Sequence, residues 1–279
     1  MIRLIADSSC DLKQAEIEDD FVTILPMTIN IDNEEYFDGI TISNAEFYQK
    51  LPLAKALPHT SQVNSVAFLE NFKQAVNNGE DILVLTISSE LSGTGNSARI
   101  AKEELGKGNI EIVDSRLVTF AYQALVREAI KLIKQEISLQ ELKSKLEELR
   151  EKIILLAVIG DLTYLIKGGR VSKTQGFIAN ALAIKPLLTM TNGKLDICKK
   201  VIGLPKAFNT VADMFNKDYD VDYTLPQYLG HSSDLQKLKE LEKVLLSRTQ
   251  IKPEGICELG PTVGTHAGPG CVGIVFFKK

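Results

Sequence analysis

Tryptophan is absent from this 279-residue chain, histidine occurs three times, and cysteine four times, at Cys10, Cys198, Cys257 and Cys271. The missing tryptophan decides nothing, but the cysteines do. They are widely scattered, no two form a C-x-x-C pair, and they do not group with the histidines. That argues against a zinc site and against a disulfide framework, so no metal is expected. Reduced thiols fit a cytoplasmic protein. Basic blocks are also lacking, and the formal net charge is −4, so nothing points to a nucleic-acid partner. No apolar run reaches the ~18 residues of a membrane span, which leaves at most transient contact with a membrane surface. The first residues, Met1-Ile-Arg-Leu-Ile-Ala-Asp7, enter a strand-like run without the pattern of a cleavable signal.

What is present is ordinary globular composition, 44% apolar and 24% charged, with enough length for a large core or two domains. In residues 1–150 short apolar runs alternate with helical patterns. Strands are expected at Ile2–Ala6, Ile82–Ile87 and Ile110–Val113, and an interrupted one over Phe21–Ile31, broken by Pro26. Glu34–Gly39 reads as a turn. Ser43 and Glu46 make a capping box, as do Ser138 and Glu141. Helices are expected over 65–76, 96–105, 120–133 and 138–150. Such alternation implies parallel strands with crossover helices. Ligands in these sheets sit beyond the carboxyl ends of the strands. Asp7-Ser8-Ser9, Ser88–Thr94 and Asp114-Ser115 would all lie along that edge.

Residues 151–279 read differently. Ile153–Ile159 is a buried strand, and a helix is expected over Ser172–Ala183. Asn192-Gly193 between Leu187–Thr191 and Lys194–Val201 is a hairpin signal. Further helices fall at 204–215 and 235–246. Tyr223–Leu229 reads as an edge strand because of Pro226. Gly255–Leu259 and Cys271–Phe277 flank the stretch Gly260–Gly270, read as a Gly-rich loop. The fold class is therefore α/β with two α/β domains, 1–150 with a mainly parallel sheet and 151–279 with a mixed one.

Chemistry concentrates in hydroxyl-rich loops. Gly260–Gly270 carries Thr262, Thr265 and His266 among four glycines, which allow close backbone approach to a ligand. Thr60-Ser61-Gln62 and Ser92-Gly93-Thr94 are the others. Ser92 at a strand-to-helix turn is equally readable as an N-cap or as an anion anchor. Ser92 with His266 raises a serine hydrolase as an alternative. Leu91-Ser92-Gly93 is not a nucleophile elbow, however, and no orienting acid is identifiable, Asp7 and Asp114 being the only suggestions. No catalytic residue is assigned. Arg170, after two glycines, reads as an anion or partner contact or as a solvent-facing side chain near a helix C-terminus. Lys199-Lys200 reads as a solvated pair, and His231-Ser232-Ser233 as the start of a helix capped by Ser232 or Ser233.

Seven segments in order carry a family resemblance: Ile5-Ala-Asp-Ser-Ser-Cys-Asp-Leu12, Thr60-Ser-Gln62, Ser88-Ser-Glu-Leu-Ser-Gly-Thr94, Val113-Asp-Ser115, Leu165-Ile-Lys-Gly-Gly-Arg-Val-Ser172, Ile184-Lys-Pro186 and Gly264-Thr-His-Ala-Gly-Pro-Gly270. On these the chain resembles the DegV family of bacterial fatty-acid-binding proteins. The resemblance implies two α/β domains holding a long-chain fatty acid as ligand, with no cofactor. Its carboxylate would be held by Thr60, Ser61 and Ser92, with Gly93, Thr94, Thr265 and His266 in the same network. The acyl chain would occupy an apolar tunnel mostly in the second domain, with Phe177–Ala183, Ile184, Leu187 and Leu188 as candidate lining. Some members are the binding subunit of fatty acid kinase and present the carboxylate to a separate catalytic subunit, for which Arg170 and Lys200 are the candidate contacts. Another carboxylate-bearing lipid is a further alternative. The chain departs from the family pattern at Val63-Asn64, where Pro-Ser is common, at Gly95, where Tyr is common, and at Ile202, where Arg is common.

Overall fold

The computed structural model describes residues 1–171 and 184–279. The expected helix over Ser172–Ala183 lies outside them. Strand β1 (Ile2–Asp7) opens the chain, followed by β2 (Val22–Leu25) and β3 (Thr28–Ile31), separated at Pro26 as anticipated. Next comes β4 (Glu34–Phe37), where a turn was expected. The turn is instead Asp32-Asn33, both at positive φ (49° and 70°), as a tight hairpin needs. Helix α1 (Asn44–Lys50) begins with the anticipated capping box of Ser43 and Glu46. Strand β5 (His59–Ser61) takes up most of the Thr60-Ser61-Gln62 segment and joins β3 and β4 in a small antiparallel sheet, order β4-β3-β5.

Helix α2 (Ser65–Asn77), β6 (Asp81–Thr86), α3 (Thr94–Leu105) and β7 (Ile110–Asp114) complete the parallel sheet, order β2-β1-β6-β7. Asn64 caps α2 by accepting from Ala67 N at 2.9 Å. The departure at this position thus keeps the N-cap chemistry. Helices α4 (Thr119–Ile133) and α5 (Leu139–Lys152) lead to the second half. At α5 only one arm of the expected box forms: Ser138 accepts from Glu141 N, while the Glu141 carboxylate pairs with Lys145.

There follow β8 (Ile153–Val158), α6 (Leu162–Gly168), β9 (Ile184–Thr191), β10 (Lys194–Ile202), α7 (Leu204–Lys217), β11 (Tyr228–His231), α8 (Leu235–Arg248), β12 (Gly255–Glu258), α9 (Pro261–Ala267) and β13 (Val272–Phe277). The six-stranded mixed sheet runs β10-β9-β8-β13-β11-β12. Pro226 precedes β11 rather than interrupting it, so β11 is an interior strand between β13 and β12, not an edge. Asp234, not Ser232 or Ser233, caps α8, and Ser232 instead accepts from Cys271 N. The stretch read as a Gly-rich loop contains α9. Its glycines serve packing: a Cβ on Gly264 would lie 2.7 Å from both Phe47 and Tyr48.

The layers follow from which faces are apolar. Helices α2 and α3 cover one face of the parallel sheet, and α7 and α8 one face of the mixed sheet. Between the sheets lies α4, eleven of whose fifteen residues are buried. It packs against β1 on one side and β8, β11 and β13 on the other. The largest apolar cluster therefore joins Leu4, Leu83 and Leu85 to Phe120 and Leu125 and on to Leu155, Val275 and Phe277. Gly230 in β11 lets Phe120 lie flat on the strand, because a Cβ there would fall 2.5 Å from the ring.

The two halves are also clasped at the strand ends. The Asn192-Gly193 turn forms as expected, with φ of 49° and 82°. Its tip docks on the loop after β6: Ser88 Oγ donates to Gly193 O at 2.7 Å, and Lys194 pairs with Glu90 at 3.4 Å.

Candidate functional site

A cavity of about 340 Å³ opens where these halves meet. Its body is apolar. Val118 and Phe120 come from the start of α4, Leu155 and Ala157 from β8, Leu188 from β9 and Leu195 from β10. Met27, Ile87, Leu91, Ile159, Leu165, Leu259, Val263, Ala267 and Cys271 close it. The walls thus come from both halves rather than mostly from the second. Of the expected lining, Leu188 faces the cavity. Leu187, its neighbour on the alternating strand, is buried in the cluster under α7 and α8, as the two-residue period requires. Ile184 is not on the wall, and Phe177–Ala183 lie outside the described residues.

The polar groups gather at one place. Thr60, Ser61, Gln62, Ser92, Gly93, Thr119, Thr262, His266 and Arg170 complete the lining. Residues more than 200 positions apart are thereby joined: Thr60 Oγ1 lies 2.9 Å from His266 Nε2. Ser92 Oγ lies 3.0 Å from Thr94 Oγ1 and accepts from Thr94 N at 3.4 Å. Gly93 is the N-cap residue of α3, so Ser92 stands one position outside the helix start. Gln62 crosses Gly93: a Cβ there would sit 2.1 Å from Gln62 Oε1 and displace the end of that side chain, whose amide donates to Ser97 Oγ at 2.7 Å. Two expected residues turn away from the cavity. Thr94 is fully buried behind Ser92, and Thr265 donates its hydroxyl to Pro261 O at 2.9 Å.

The Gly168-Gly169-Arg170 segment is part of the same construction. A Cβ on Gly168 would lie 2.4 Å from His266 Nδ1, and Gly169, at φ 71°, ends α6 in the left-handed conformation. Arg170 then turns inward, with Nη1 donating to Gly168 O at 2.6 Å and Nε to Leu91 O at 3.4 Å. Among the described lining residues it is the one permanent charge. The sequence favoured a solvent-facing side chain here over an anion or partner contact. Thr119 was not anticipated on the wall at all, whereas Thr262 was one of the polar tips expected on the Gly260–Gly270 stretch. Thr119 is a β-branched residue at φ 55°, an unfavourable conformation that no residue pattern announces.

His266 is pushed down to a pKa of about 4, first by burial and then by the Arg170 charge, so its imidazole is neutral at neutral pH. Its Nδ1 is buried without a hydrogen-bond partner among the described residues. A bare acceptor there costs less than an orphaned N–H, which assigns the proton to Nε2, donating to Thr60. The Thr60 hydroxyl proton is then directed to whatever acceptor enters the mouth.

This geometry does not assemble a hydrolase triad. His266 Nε2 serves Thr60, Ser92 serves Thr94, and no carboxylate meets Nδ1 among the described residues. Asp7 is buried against Ser9, Ile87 N and Tyr122, and Asp114 is bonded to Ser89 and Arg116. Nor does any group of three or more His, Cys, Asp or Glu suited to a metal ion occur among the described residues. His231 is buried at the end of β11 and is not on the cavity wall. Lys200 and Ile202 are exposed on the edge strand β10 and are not among the cavity's lining residues.

Outside the mouth lies a second, open cleft walled by Leu57, Pro58, His59, Tyr164, Lys167 and Thr265. It shares Arg170 and His266 with the cavity.

Comparison with known proteins accords with this arrangement. A family model described as uncharacterised protein, DegV family, matches residues 1–279. The chain belongs to the DegV family. A DegV domain-containing protein of Caldanaerobacter subterraneus subsp. tengcongensis is 34% identical over 279 residues, 100% of this chain and 99% of that one. Among solved structures, a fatty-acid-binding DegV protein from Thermus thermophilus is 28% identical with a TM-score of 0.89, covering 100% of this chain and 99% of that one. A stearic acid-binding protein from Eubacterium ventriosum is 27% identical with a TM-score of 0.88 and the same coverage. The fatty acid kinase B3 protein of Streptococcus pneumoniae, loaded with linoleic acid, has a TM-score of 0.85 at 22% identity over 100% of this chain and 99% of its own; that likeness is one of fold. No helix among the described residues of this DegV chain is long and apolar enough to cross a membrane.

Proposed function

We propose that this protein binds a long-chain fatty acid, its carboxylate at the Thr60, Ser61, Ser92 and His266 mouth and its acyl chain in the apolar cavity. The observation that carries this reading is the cavity itself: apolar walls drawn from both halves and polar groups that include, among the described lining residues, one fixed cation, Arg170. An ionised carboxylate taken out of water needs hydrogen bonds or a counter-charge, and this mouth has both. Each buried methylene adds roughly 0.8 kcal/mol, which favours long chains. The fatty-acid ligands of the Thermus and Eubacterium proteins support the same reading.

The protein then presents the carboxylate to a separate kinase subunit, which transfers the ATP γ-phosphoryl group to a carboxylate oxygen and leaves ADP and an acyl phosphate. Support comes from the outer cleft, which reaches the head-group residues from the surface through Arg170 and His266. Arg170 and Lys200 are the proposed partner contacts, and Gly93, Thr94 and Thr265 support the mouth from behind. The working division is 1–150 and 151–279, in the reducing cytoplasm that suits four free cysteines.

Native mass spectrometry of the purified protein tests this. The expected result is an adduct with the mass of a long-chain fatty acid, lost on denaturation, and a raised melting temperature with added C14–C18 acids. A protein with neither adduct nor thermal shift refutes the binding reading. Unchanged fatty acid on incubation with ATP and a fatty acid kinase catalytic subunit refutes the kinase reading alone.

A further inference from the structure

Two carboxylates outside the cavity, Asp38 buried and Asp11 half-buried, have no part in the site as described. Asp38 is 7% exposed; its Oδ2 accepts from Ser8 Oγ at 3.0 Å and from Thr262 N at 3.2 Å. Asp11 Oδ1 accepts from Gly260 N at 2.8 Å, and its Oδ2 from Thr119 Oγ1 at 2.5 Å. Gly260 fits between them because a Cβ there would lie 3.2 Å from Asp11 Oδ1 and 3.3 Å from Asp38 Oδ1. The partners of both carboxylates are hydroxyls and backbone N–H groups; Asp38 is an unfavourable neighbour in charge for Asp11, and Asp7 for Asp38. Burial first, and neighbouring aspartates after it, push Asp38 up to about 6 and Asp11 well above the usual carboxylate range. At neutral pH this pair costs the fold stability.

What the pair holds is the start of α9. Gly260 N and Thr262 N are two of the donors that a helix leaves unpaired at its N-terminus, and Pro261 between them has none. Thr262 and His266 are four residues apart, hence on one face, and both line the cavity. Over one turn the helix is stiff, so a shift of its N-terminus moves the imidazole by about as much. Thr119, the other partner, also lines the cavity and holds its unfavourable φ of 55° while donating to Asp11.

We propose that Asp11 and Asp38 are positioning residues, which clamp the N-terminus of α9 and thereby set His266 against Thr60 at the cavity mouth. The functional weight of this rests on the fatty-acid reading; the geometric claim does not.

The test uses full-length Asp38→Asn and Asp11→Asn proteins. With three histidines in the chain, the imidazole nitrogen resonances are assignable, and they report the His266 tautomer and its bond to Thr60. The expected result is a changed His266 signature in each variant with His59 and His231 unmoved. The Asp38→Asn protein should melt no lower than wild type at pH 7.5, because a buried charge is removed. Fatty acid should leave it about tenfold faster, the weight of one hydrogen bond at the head group. A purely structural residue would lower the melting temperature and leave the imidazole alone. Unaltered His266 resonances overturn the proposal, and so does failure of both variants to fold, which would assign the pair to the fold itself. If the wild-type protein carries no fatty acid, the binding reading fails while the imidazole resonances still decide the role of the two carboxylates.

Discussion

Replacing Thr60 by Val keeps the shape of the side chain and deletes the hydroxyl that lies 2.9 Å from His266 Nε2. In the empty protein the Nε2–H, 2.9 Å from Thr60 Oγ1, is then left buried and unpaired. That costs about 1–3 kcal/mol. For a chain of this length the melting temperature should fall by about 2–5 °C. In the loaded protein the carboxylate loses a charge-assisted hydrogen bond, worth about 1.5–3 kcal/mol, so affinity should fall roughly 10- to 150-fold. The acyl chain is untouched, which gives an internal control. A methyl ester of the same length offers only a neutral acceptor, so its affinity should fall by a smaller factor, about 2- to 13-fold. Displacement of a fluorescent fatty acid measures both ligands, and thermal denaturation measures the empty protein. Wild-type affinity for the acid in Thr60→Val, or an equal loss for acid and ester, would refute the assignment of Thr60 as a carboxylate donor.

Shortening the acid one methylene at a time should weaken binding about fourfold per step while the chain still fills the cavity, read by the same displacement assay; a flat series contradicts an apolar tail site. Gly193→Ala puts a Cβ 2.7 Å from Ser88 Oγ at a φ of 82°, so the hairpin tip should lift from the Ser88–Glu90 loop and the protein lose about 1–3 kcal/mol, seen in thermal denaturation. His266 titrates near 4 in the folded protein against 6.5 ordinarily, so between those values the unfolded chain binds the extra proton and stability rises with pH, levelling above about 6.5. Asp38, raised to about 6 from 3.8, acts oppositely, with stability falling as pH climbs from about 4 to 6. Melting curves of His266→Gln across pH 4–6.5 should therefore lack the rising component, and a slope equal to wild type would show that His266 does not titrate as its burial demands.

Much of the architecture was legible because it is written in local periods. The parallel sheet follows from short apolar runs separated by amphipathic helices, the β9–β10 hairpin from Asn192-Gly193, and the start of α1 from Ser43 and Glu46. Misreadings fell where local cues point elsewhere. Asp32-Asn33 makes a turn without glycine, which displaced β4. Pro226 suggested an edge although β11 begins two residues later. Glycines at 260 and 264 suggested a loop where α9 forms, because their use is to admit Asp11, Asp38, Phe47 and Tyr48.

The candidate site divides in the same way. Thr60, Ser92 and His266 stood out as hydroxyl and imidazole tips on segments with ligand-site character, and all three line one cavity. That convergence is a tertiary fact, as His266 reaches Thr60 across 206 positions. Arg170 read rather as solvent-facing, because only the placement of α6 against α9 turns it inward. Thr262 stood out with the first three as a hydroxyl on the glycine-rich stretch, but Thr119 carries no signal at all, since a threonine at a helix start is unremarked until the wall it faces exists.

The sequence by itself determined the elements, the fold class and the chemical vocabulary of the mouth, because these depend on spacing within about ten residues. The tertiary structure alone decided that α9 is a helix clamped by two carboxylates, that the imidazole is neutral, and that the cavity is walled by both halves. Each of these depends on burial and on distances between residues far apart in the chain, and neither quantity is encoded in any local pattern.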